Sequence, residues 1–180
     1  MSEKEIETLS SRLVYENRWM RVREDAIRRN DGSTGIYGVV EKSDFAVIIP
    51  LQEGSIFLVE QYRYPVGDRY WELPQGSWEG REIGAEELAK AELKEETGLV
   101  AGKMARLGEL FEAYGYSSQK FHVFLATGLE QGEGEPETEE QGLIARSFPV
   151  PEVESMILDG RIVDCATVAA IGLLKLKGLL

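Results

Sequence analysis

Two metal-binding and cross-linking residue types are almost missing from this chain of 180 residues. It contains one cysteine, Cys165, and one histidine, His122. These counts exclude an intramolecular disulfide, a cysteine-rich zinc site and a multi-histidine metal centre. A bound metal would therefore have oxygen ligands, which favours Mg²⁺ or Mn²⁺. The near absence of cysteine also predicts a reducing, cytoplasmic location.

Long apolar runs and basic segments are missing as well. No stretch of about 18 apolar residues is present, so no transmembrane helix and no membrane partner are predicted. The first residues, MSEKEIETLSSR, lack the apolar core of a secretion signal. With 20 lysines and arginines against 32 aspartates and glutamates, the formal net charge is −12. This charge repels nucleic acids, and it also repels a phosphorylated substrate unless cations intervene.

The order of apolar and turn residues predicts one α+β fold, a mixed β-sheet between helices. Residues 1–11 are expected to form a polar tail or a short helix, and strands are expected from Arg12 to Val40 around an Asp31-Gly32 turn. The strongest predicted hairpin joins residues 45–50 and 55–63 through Glu53-Gly54. Further strands are predicted at 70–73, 106–112 and 120–129, near 143–150, and helices at 85–97, 151–159 and from about 165.

The predicted helix over residues 85–97 contains the stretch AELKEETGL. At 100° per residue, Glu92, Glu95 and Glu96 share the face that carries the apolar residues, whereas Lys90 and Lys94 point away. A solvated surface helix is the simplest explanation of such a charged run. However, three carboxylates on an apolar face repel one another and lose hydration, so this face predicts a divalent cation.

The residues around this helix resemble the Nudix box, Gly-x5-Glu-x7-Arg-Glu-U-x-Glu-Glu-x-Gly-U, where U is aliphatic. Gly76, Glu82 and the block ELKEETGL supply the pattern. The chain departs from it twice. Eight residues rather than seven separate Glu82 from the arginine position, and that position holds Ala91. We expect the extra residue to bulge the loop or the first turn of the helix. The alternatives for the arginine are replacement by Lys90 or Arg81, or the loss of its support.

The similarity extends along most of the chain. The segments VEQYRYPVGDRYWELPQG, FHVFLATGL and DGRIVDCATVAAI resemble the Nudix branch that hydrolyses ADP-ribose and other nucleoside diphosphate sugars. This resemblance implies a Nudix fold at residues 45–180. It also implies an N-terminal antiparallel strand extension at 1–44 that mediates a homodimer. The proline that often follows the box in ADP-ribose pyrophosphatases is not evident in AYGYSS, so the sugar stays open.

The resemblance also assigns roles to residues. Glu92 and Glu96 are implied metal ligands, with the backbone carbonyl near Gly76 as a further ligand. Glu95 is implied either as a ligand or as a catalytic residue that orients the others. A catalytic base is expected in the loop EPETEEQGLIARSF, where we favour Glu140, with Glu139 and Glu137 as alternatives.

Substrate contacts are expected outside the box. Arg63, in QYRYP, matches a phosphate-contacting position of the branch, and a guanidinium can grip phosphate oxygens through two hydrogen bonds. The alternative is a surface salt bridge. Trp19 and Tyr62, with Tyr70 and Trp71 as further candidates, can stack on a nucleobase, although most aromatic residues at such spacings belong to a core or an interface.

The predicted function is Mg²⁺-dependent hydrolysis of the pyrophosphate bond of a nucleoside diphosphate sugar such as ADP-ribose, with Mn²⁺ as an alternative metal. The products would be a nucleoside monophosphate and a sugar phosphate. Two alternatives stay open. One is a Nudix hydrolase of another nucleotide, such as a dinucleoside polyphosphate or coenzyme A. The other is an inactive Nudix domain that binds a nucleotide sugar.

Overall fold

The computed structural model describes residues 5–78, 83–132 and 142–180, and the chain divides into two compact units. The first unit runs to Asp44 and also includes Phe111–Lys120, whereas the second comprises Phe45–Leu110 and Phe121–Leu180. The inclusion of Phe111–Lys120 in the first unit was not predicted. The domain division at 1–44 and 45–180 stays a proposal, since a compact unit need not fold alone.

The first unit contains a three-stranded antiparallel sheet in the order β1-β2-β3. Its strands are β1 (Ile6–Glu16), β2 (Arg21–Arg29) and β3 (Thr34–Glu41). The prediction of a polar tail or helix over residues 1–11 was wrong from Ile6 onwards. All residues of β1 are exposed, so no alternation of apolar and polar positions marks the strand. The Asp31-Gly32 turn is confirmed, with Gly32 in the left-handed region at φ +81°.

The second unit is built on a larger mixed sheet. Its described strands are ordered β10-β5-β4-β9-β8, with β6 paired to β5 and β7 paired to β4. The strands are β4 (Phe45–Gln52), β5 (Ser55–Arg63), β6 (Asp68–Glu72), β7 (Gln75–Ser77), β8 (Leu99–Phe111), β9 (Lys120–Gln131) and β10 (Ile144–Pro149). Pairing of β4 with β9 is parallel, whereas β4 pairs antiparallel with β5 and β7. The predicted β4–β5 hairpin and its Glu53-Gly54 turn are confirmed.

Helices cover both faces of this sheet, as predicted. They are α1 (Ala85–Thr97), α2 (Val150–Leu158) and α3 (Cys165–Leu176). Val47 and Ile49 of β4 pack in a cluster with residues of α2 and α3, whereas Ala46 and Ile48 pack in a second cluster with α1. The alternation of side chains along one buried strand therefore fills both cores.

The described helices are short, and the longest, α1, has 13 residues. Within residues 5–78, 83–132 and 142–180, none is long and apolar enough to cross a membrane.

Candidate active site at the Gly76 strand and helix α1

Helix α1 occupies the predicted residues and begins and ends at glycines. The backbone N–H of Gly84 donates to the Glu87 carboxylate at 3.2 Å, which satisfies the start of the helix. Gly98 ends it in the left-handed conformation at φ 71°. The helix is continuous from Ala85 to Thr97, so the extra residue of the box does not bulge its first turn.

The orientation of α1 agrees with the predicted helical wheel. Leu88, Ala89, Leu93 and Glu96 are buried. Lys90 and Lys94 are exposed, and Glu92 and Glu95 are half-buried between these faces. The charged residue Glu96 therefore lies on the apolar side of the helix, where specific partners must offset the cost of its desolvation.

The carboxylate of Glu92 lies directly over Gly76, on strand β7. A Cβ atom built on Gly76 would lie well inside 3.0 Å of the Glu92 carboxyl carbon and both of its oxygens. Only a residue without a side chain leaves this space open. The glycine of the box thus allows the carboxylate to approach the backbone of β7.

Glu96 reaches the neighbouring residue of the same strand. Its Oε2 accepts a hydrogen bond from the backbone N–H of Gln75 at 3.0 Å, and the residue is only 4% exposed. Helix α1 therefore brings the carboxylates of Glu92 and Glu96 to the short strand that contains Gly76. These are three of the four residues, with Glu95 as the fourth, for which the resemblance implies metal binding.

The oxygen donors of this region fit a hard divalent cation. Glu92, Glu96 and the backbone carbonyls of β7 are oxygen donors, and the buried position of Glu96 would strengthen its interaction with a cation. Among the described residues, however, no three histidine, cysteine or acidic side chains converge closely enough to hold a metal. The metal roles of Gly76, Glu92, Glu95 and Glu96 therefore stay predictions.

The arginine position of the box holds the half-buried Ala91. Lys90, one predicted replacement, instead donates to Glu86 at 2.6 Å on the exposed side of α1. The other, Arg81, lies outside the described residues, as does Glu82.

Arg63, the predicted phosphate contact, ends strand β5 and pairs with Glu72 at the end of β6. Its Nε donates to Glu72 Oε2 at 3.1 Å, and its Nη2 donates to Glu72 Oε1. Gln61 donates to the same carboxylate at 2.8 Å. Burial raises the pKa of Glu72 above its ordinary value of 4.5. Arg63 opposes that rise, and the charge of Asp164 adds to it.

Sequence reasoning missed Glu72 as a functional candidate. The residue is 2% exposed and stands between Trp71 and Leu73 in the segment WELPQG. A carboxylate placed among apolar residues at a predicted strand end is the signal that would have found it, because such a group needs a buried partner.

The aromatic residues predicted to contact the substrate belong to both units of the chain. Trp19 is 53% exposed in the first unit, with the Arg18 guanidinium 4.1 Å from its ring centroid. Tyr62 is equally exposed, on strand β5 of the second unit. Trp71 packs edge-on against Phe148 at 4.8 Å between ring centroids and belongs to a core cluster. Stacking by Trp19 and Tyr62 stays a prediction.

The predicted catalytic base falls outside the described residues. This applies to Glu140 and also to its alternatives Glu139 and Glu137. The chain is described again from Gly142, whose carbonyl oxygen accepts a hydrogen bond from the Arg69 guanidinium.

Comparison with known proteins supports the similarity seen in the box. A model of the Nudix domain matches residues 42–164. A model of the N-terminal domain of nucleoside diphosphate sugar hydrolases matches residues 6–40. An ADP-ribose pyrophosphatase of Mycobacterium tuberculosis is 34% identical over 95% of this chain and 84% of its own length. A methanol dehydrogenase activator of Bacillus methanolicus is 27% identical over 96% of this chain and 94% of its own length.

A solved structure shares the fold. The crystal structure of an ADP compounds hydrolase superposes with a TM-score of 0.87 at 22% sequence identity, covering 99% of this chain and 98% of that chain. The predicted Nudix fold is thereby confirmed. Together with the Nudix match over most of the sequence, these similarities show that the chain belongs to the Nudix family of pyrophosphohydrolases, in its ADP-ribose and nucleoside diphosphate sugar pyrophosphatase branch.

Proposed function

We propose that this protein hydrolyses the pyrophosphate bond of a nucleoside diphosphate sugar, with ADP-ribose as the first substrate to test, and that it uses Mg²⁺. The observation that carries the proposal is the placement of the Glu92 carboxylate over Gly76, beside the buried Glu96. It is supported by the 34% identity to an ADP-ribose pyrophosphatase over 95% of the chain.

The proposed roles follow from the chemistry of each group. Glu92, Glu96 and the Gly76 carbonyl would hold Mg²⁺ or Mn²⁺, with Glu95 as a further ligand or as the residue that orients the other two. The metal, when bound, would neutralise charge on the diphosphate and lower the pKa of a coordinated water. Arg63 would bind phosphate oxygens, and Glu140, or its neighbour Glu139, would accept a proton from water. Trp19 and Tyr62 would contact the nucleoside.

Turnover of a substrate panel tests this proposal. The protein is incubated with Mg²⁺ and ADP-ribose, ADP-glucose, GDP-mannose, diadenosine polyphosphates or coenzyme A, and the products are separated by ion-exchange chromatography. We expect nucleoside monophosphate and sugar phosphate from a nucleoside diphosphate sugar, with no product in EDTA. Faster cleavage of coenzyme A or a dinucleoside polyphosphate would replace this substrate class by the first alternative. Tight binding without turnover would instead support a nucleotide-sugar sensor.

We further propose that the protein forms a homodimer through its N-terminal strands. Strand β1 exposes several large apolar side chains, each between 42% and 53% exposed: Ile6, Leu9, Leu13, Val14 and Tyr15. Exposed apolar residues on one strand are typical of a covered interface. Light scattering should give the mass of a dimer, and Leu13→Glu should shift it to that of a monomer. A monomeric wild type would overturn this proposal.

The cytoplasmic location stays a prediction from the cysteine count.

A further inference from the structure

Strands β5 and β6 are joined by two arginine–glutamate pairs. Arg63 of β5 pairs with Glu72 of β6, and Arg69 of β6 pairs with Glu60 of β5 at 3.1 Å. In each pair, the partners are nine positions apart in the sequence. Strand register opposes Val59 to Glu72 and Glu60 to Trp71, so the two glutamates lie on opposite faces of the hairpin.

The Arg63 pair lies on the face of the sheet that α1 covers. Side chains alternate along β5, so Arg63 and Gln61 share a face with Phe57, which packs in the α1 cluster. Glu60 shares its face with Trp71, which packs in the cluster of α2 and α3. Of the two arginines, Arg63 is therefore the one on the same face as the glutamates of the box.

Arg63 pairs with the buried carboxylate of Glu72, although the exposed carboxylate of Asp68 lies directly opposite it on the neighbouring strand. The residue opposite Arg63 is Asp68, which is exposed and accepts the backbone N–H of Arg69. Arg63 instead reaches back to Glu72, using Nε and Nη2. The Glu72 side chain is 3% exposed and that of Arg63 is 41% exposed. A desolvated carboxylate that accepts two parallel N–H bonds fixes the plane of the guanidinium.

The guanidinium keeps hydrogen-bonding capacity on its other edge. In the part of the chain that the structure describes, Nη1 of Arg63 makes no hydrogen bond. Two Nη1 protons are thus available to an acceptor, while Nε and Nη2 anchor the group. An arginine with one edge anchored and the other edge open is well suited to an anionic ligand, because its orientation is set before the ligand binds.

A short, rigid connection joins Glu72 to the carboxylates of the box. Leu73 N–H donates to the Thr167 hydroxyl at 2.9 Å, and the Pro74 carbonyl accepts from Ile48 N–H at 2.9 Å. The next residue, Gln75, donates its N–H to Glu96. Each residue between Glu72 and Gly76 is therefore hydrogen-bonded to another element of the second unit.

We propose that Glu72 is a positioning residue: it orients Arg63 so that the open edge of the guanidinium binds a phosphate oxygen of the substrate. This inference rests on the proposed function, since it assigns a second residue to the recognition of the diphosphate. Glu72 itself does not touch the substrate. Its carboxylate acts through Arg63, and the Leu73–Gln75 connection fixes its position relative to the glutamates of α1.

A double-mutant cycle on kcat/KM tests the proposal. Glu72→Gln keeps the size of the side chain and removes its charge, so Arg63 loses its two charge-assisted bonds to a carboxylate. We expect kcat/KM to fall about tenfold, mainly through KM, since the same phosphate contact serves the ground and transition states. Arg63→Ala should lower it about 30-fold or more. Adding Glu72→Gln to Arg63→Ala should change it less than about twofold.

Two further variants separate orientation from folding. Arg63→Lys keeps the charge but cannot form two parallel bonds, and it should also lower kcat/KM about tenfold. Glu60→Gln changes the other pair of the same strands and should leave kcat/KM within about twofold of wild type. Circular dichroism and melting curves show whether each variant folds. If one variant of the cycle does not fold, the kcat/KM of Arg63→Lys tests the orientation of the guanidinium in its place.

The outcomes distinguish this inference from the proposed function. Unchanged kcat/KM in Glu72→Gln or in Arg63→Lys would overturn the positioning role, and so would losses from Glu72→Gln and Arg63→Ala that multiply in the double variant. In either case the wild type still hydrolyses its substrate. If the wild type hydrolyses no member of the panel, the proposed function fails first. Binding of the tightest panel member, measured by calorimetry, then replaces kcat/KM in the same cycle.

Discussion

Glu72 and Glu96 are the two buried glutamates of the described part of the second unit, at 2% and 4% exposure. They flank one connection, Leu73–Gln75, but are anchored differently. Glu72 accepts hydrogen bonds from the side chains of Arg63 and Gln61, whereas Glu96 accepts one from the backbone N–H of Gln75. A substitution can delete the side-chain donors of Glu72, but only a substitution of Gln75 by proline deletes the backbone N–H that Glu96 accepts there.

This difference separates two uses of a buried carboxylate. Under the proposed function, Glu72 holds a cation that belongs to the chain, and Glu96 holds one supplied from solution. The first use is expected to appear in stability, since loss of a permanent partner leaves a buried charge. The second is expected to appear in activity, since a metal that binds with substrate contributes most when the reaction proceeds.

Neutralising Glu96 gives the largest expected effect and tests its side of the comparison. Glu96→Gln should lower kcat by roughly 10³-fold or more, because loss of a metal ligand removes several kcal/mol of charge stabilisation. Its melting temperature should be unchanged or higher, since the amide oxygen still accepts the Gln75 N–H and one repelling charge is gone. Glu86→Gln, on the exposed side of α1, is the control and should remain active. Full activity in Glu96→Gln would refute the metal role.

Filling the space over Gly76 should have the next largest effect. Gly76→Ala forces the Glu92 carboxylate away from β7. A displacement of about 1 Å in a catalytic group can cost roughly 10²-fold in rate, and we expect a loss of that size in kcat. The fold should persist, because the displaced atoms end a flexible side chain.

The matched control is Gly172→Ala in helix α3. A Cβ atom there meets nothing within 4 Å. This variant should keep its activity and gain about 0.5–1 kcal/mol in free energy of unfolding, the difference between glycine and alanine inside a helix. Equal activity of both alanine variants would show that the Glu92–Gly76 contact does not matter for turnover.

Removing Arg63 or Arg69 compares the loss of stability when the glutamate left behind is buried with the loss when it is partly exposed. Arg63→Ala leaves Glu72 without its cation and should cost about 3 kcal/mol in urea unfolding, the lower end of the range for buried pairs, since Arg63 is partly exposed. Arg69→Ala should cost about 1 kcal/mol, because the Glu60 side chain is 23% exposed and retains contact with water. Equal losses would contradict the distinction between the two pairs.

The raised pKa of Glu72 predicts the smallest effect, on pH dependence. A carboxyl group whose folded pKa exceeds its unfolded value binds its proton more tightly in the folded state. The stability that it contributes is therefore lost as pH rises from about 4.5, its ordinary value, through the folded pKa. Glutamine does not titrate, so the unfolding free energy of wild type relative to Glu72→Gln should decrease over this window. A difference that stays flat from pH 4.5 to neutrality would contradict the shift.

Local patterns predicted much of the fold. Helix α1 and the β4–β5 hairpin with its Glu53-Gly54 turn both follow from contacts between residues a few positions apart. The first half of strand β1, residues 6–11, could not be predicted, because its residues are exposed and no periodicity distinguishes it from a polar tail.

The common placement of Glu92 and Glu96 was predicted because both lie on one helix. Glu92 and Glu96 lie one turn apart, so the wheel already gives their common direction. The Arg63–Glu72 pair depends on how two strands curve and on which carboxylate is buried, and neither property is local. For Arg63 the resemblance implied a phosphate contact, and the alternative was a surface salt bridge. The structure shows an arginine that is anchored on one side, which neither alternative described.

Strand β4 has a consequence for how the protein responds to heat. It contributes Ala46 and Ile48 to the cluster under α1 and Val47 and Ile49 to the cluster under α2 and α3. Local unfolding that separates β4 from its neighbouring strands therefore disrupts the packing of both hydrophobic clusters at once. We therefore expect the second unit to unfold in one cooperative transition. In that transition the amide hydrogens of α1, α2 and α3 should lose their protection from exchange together.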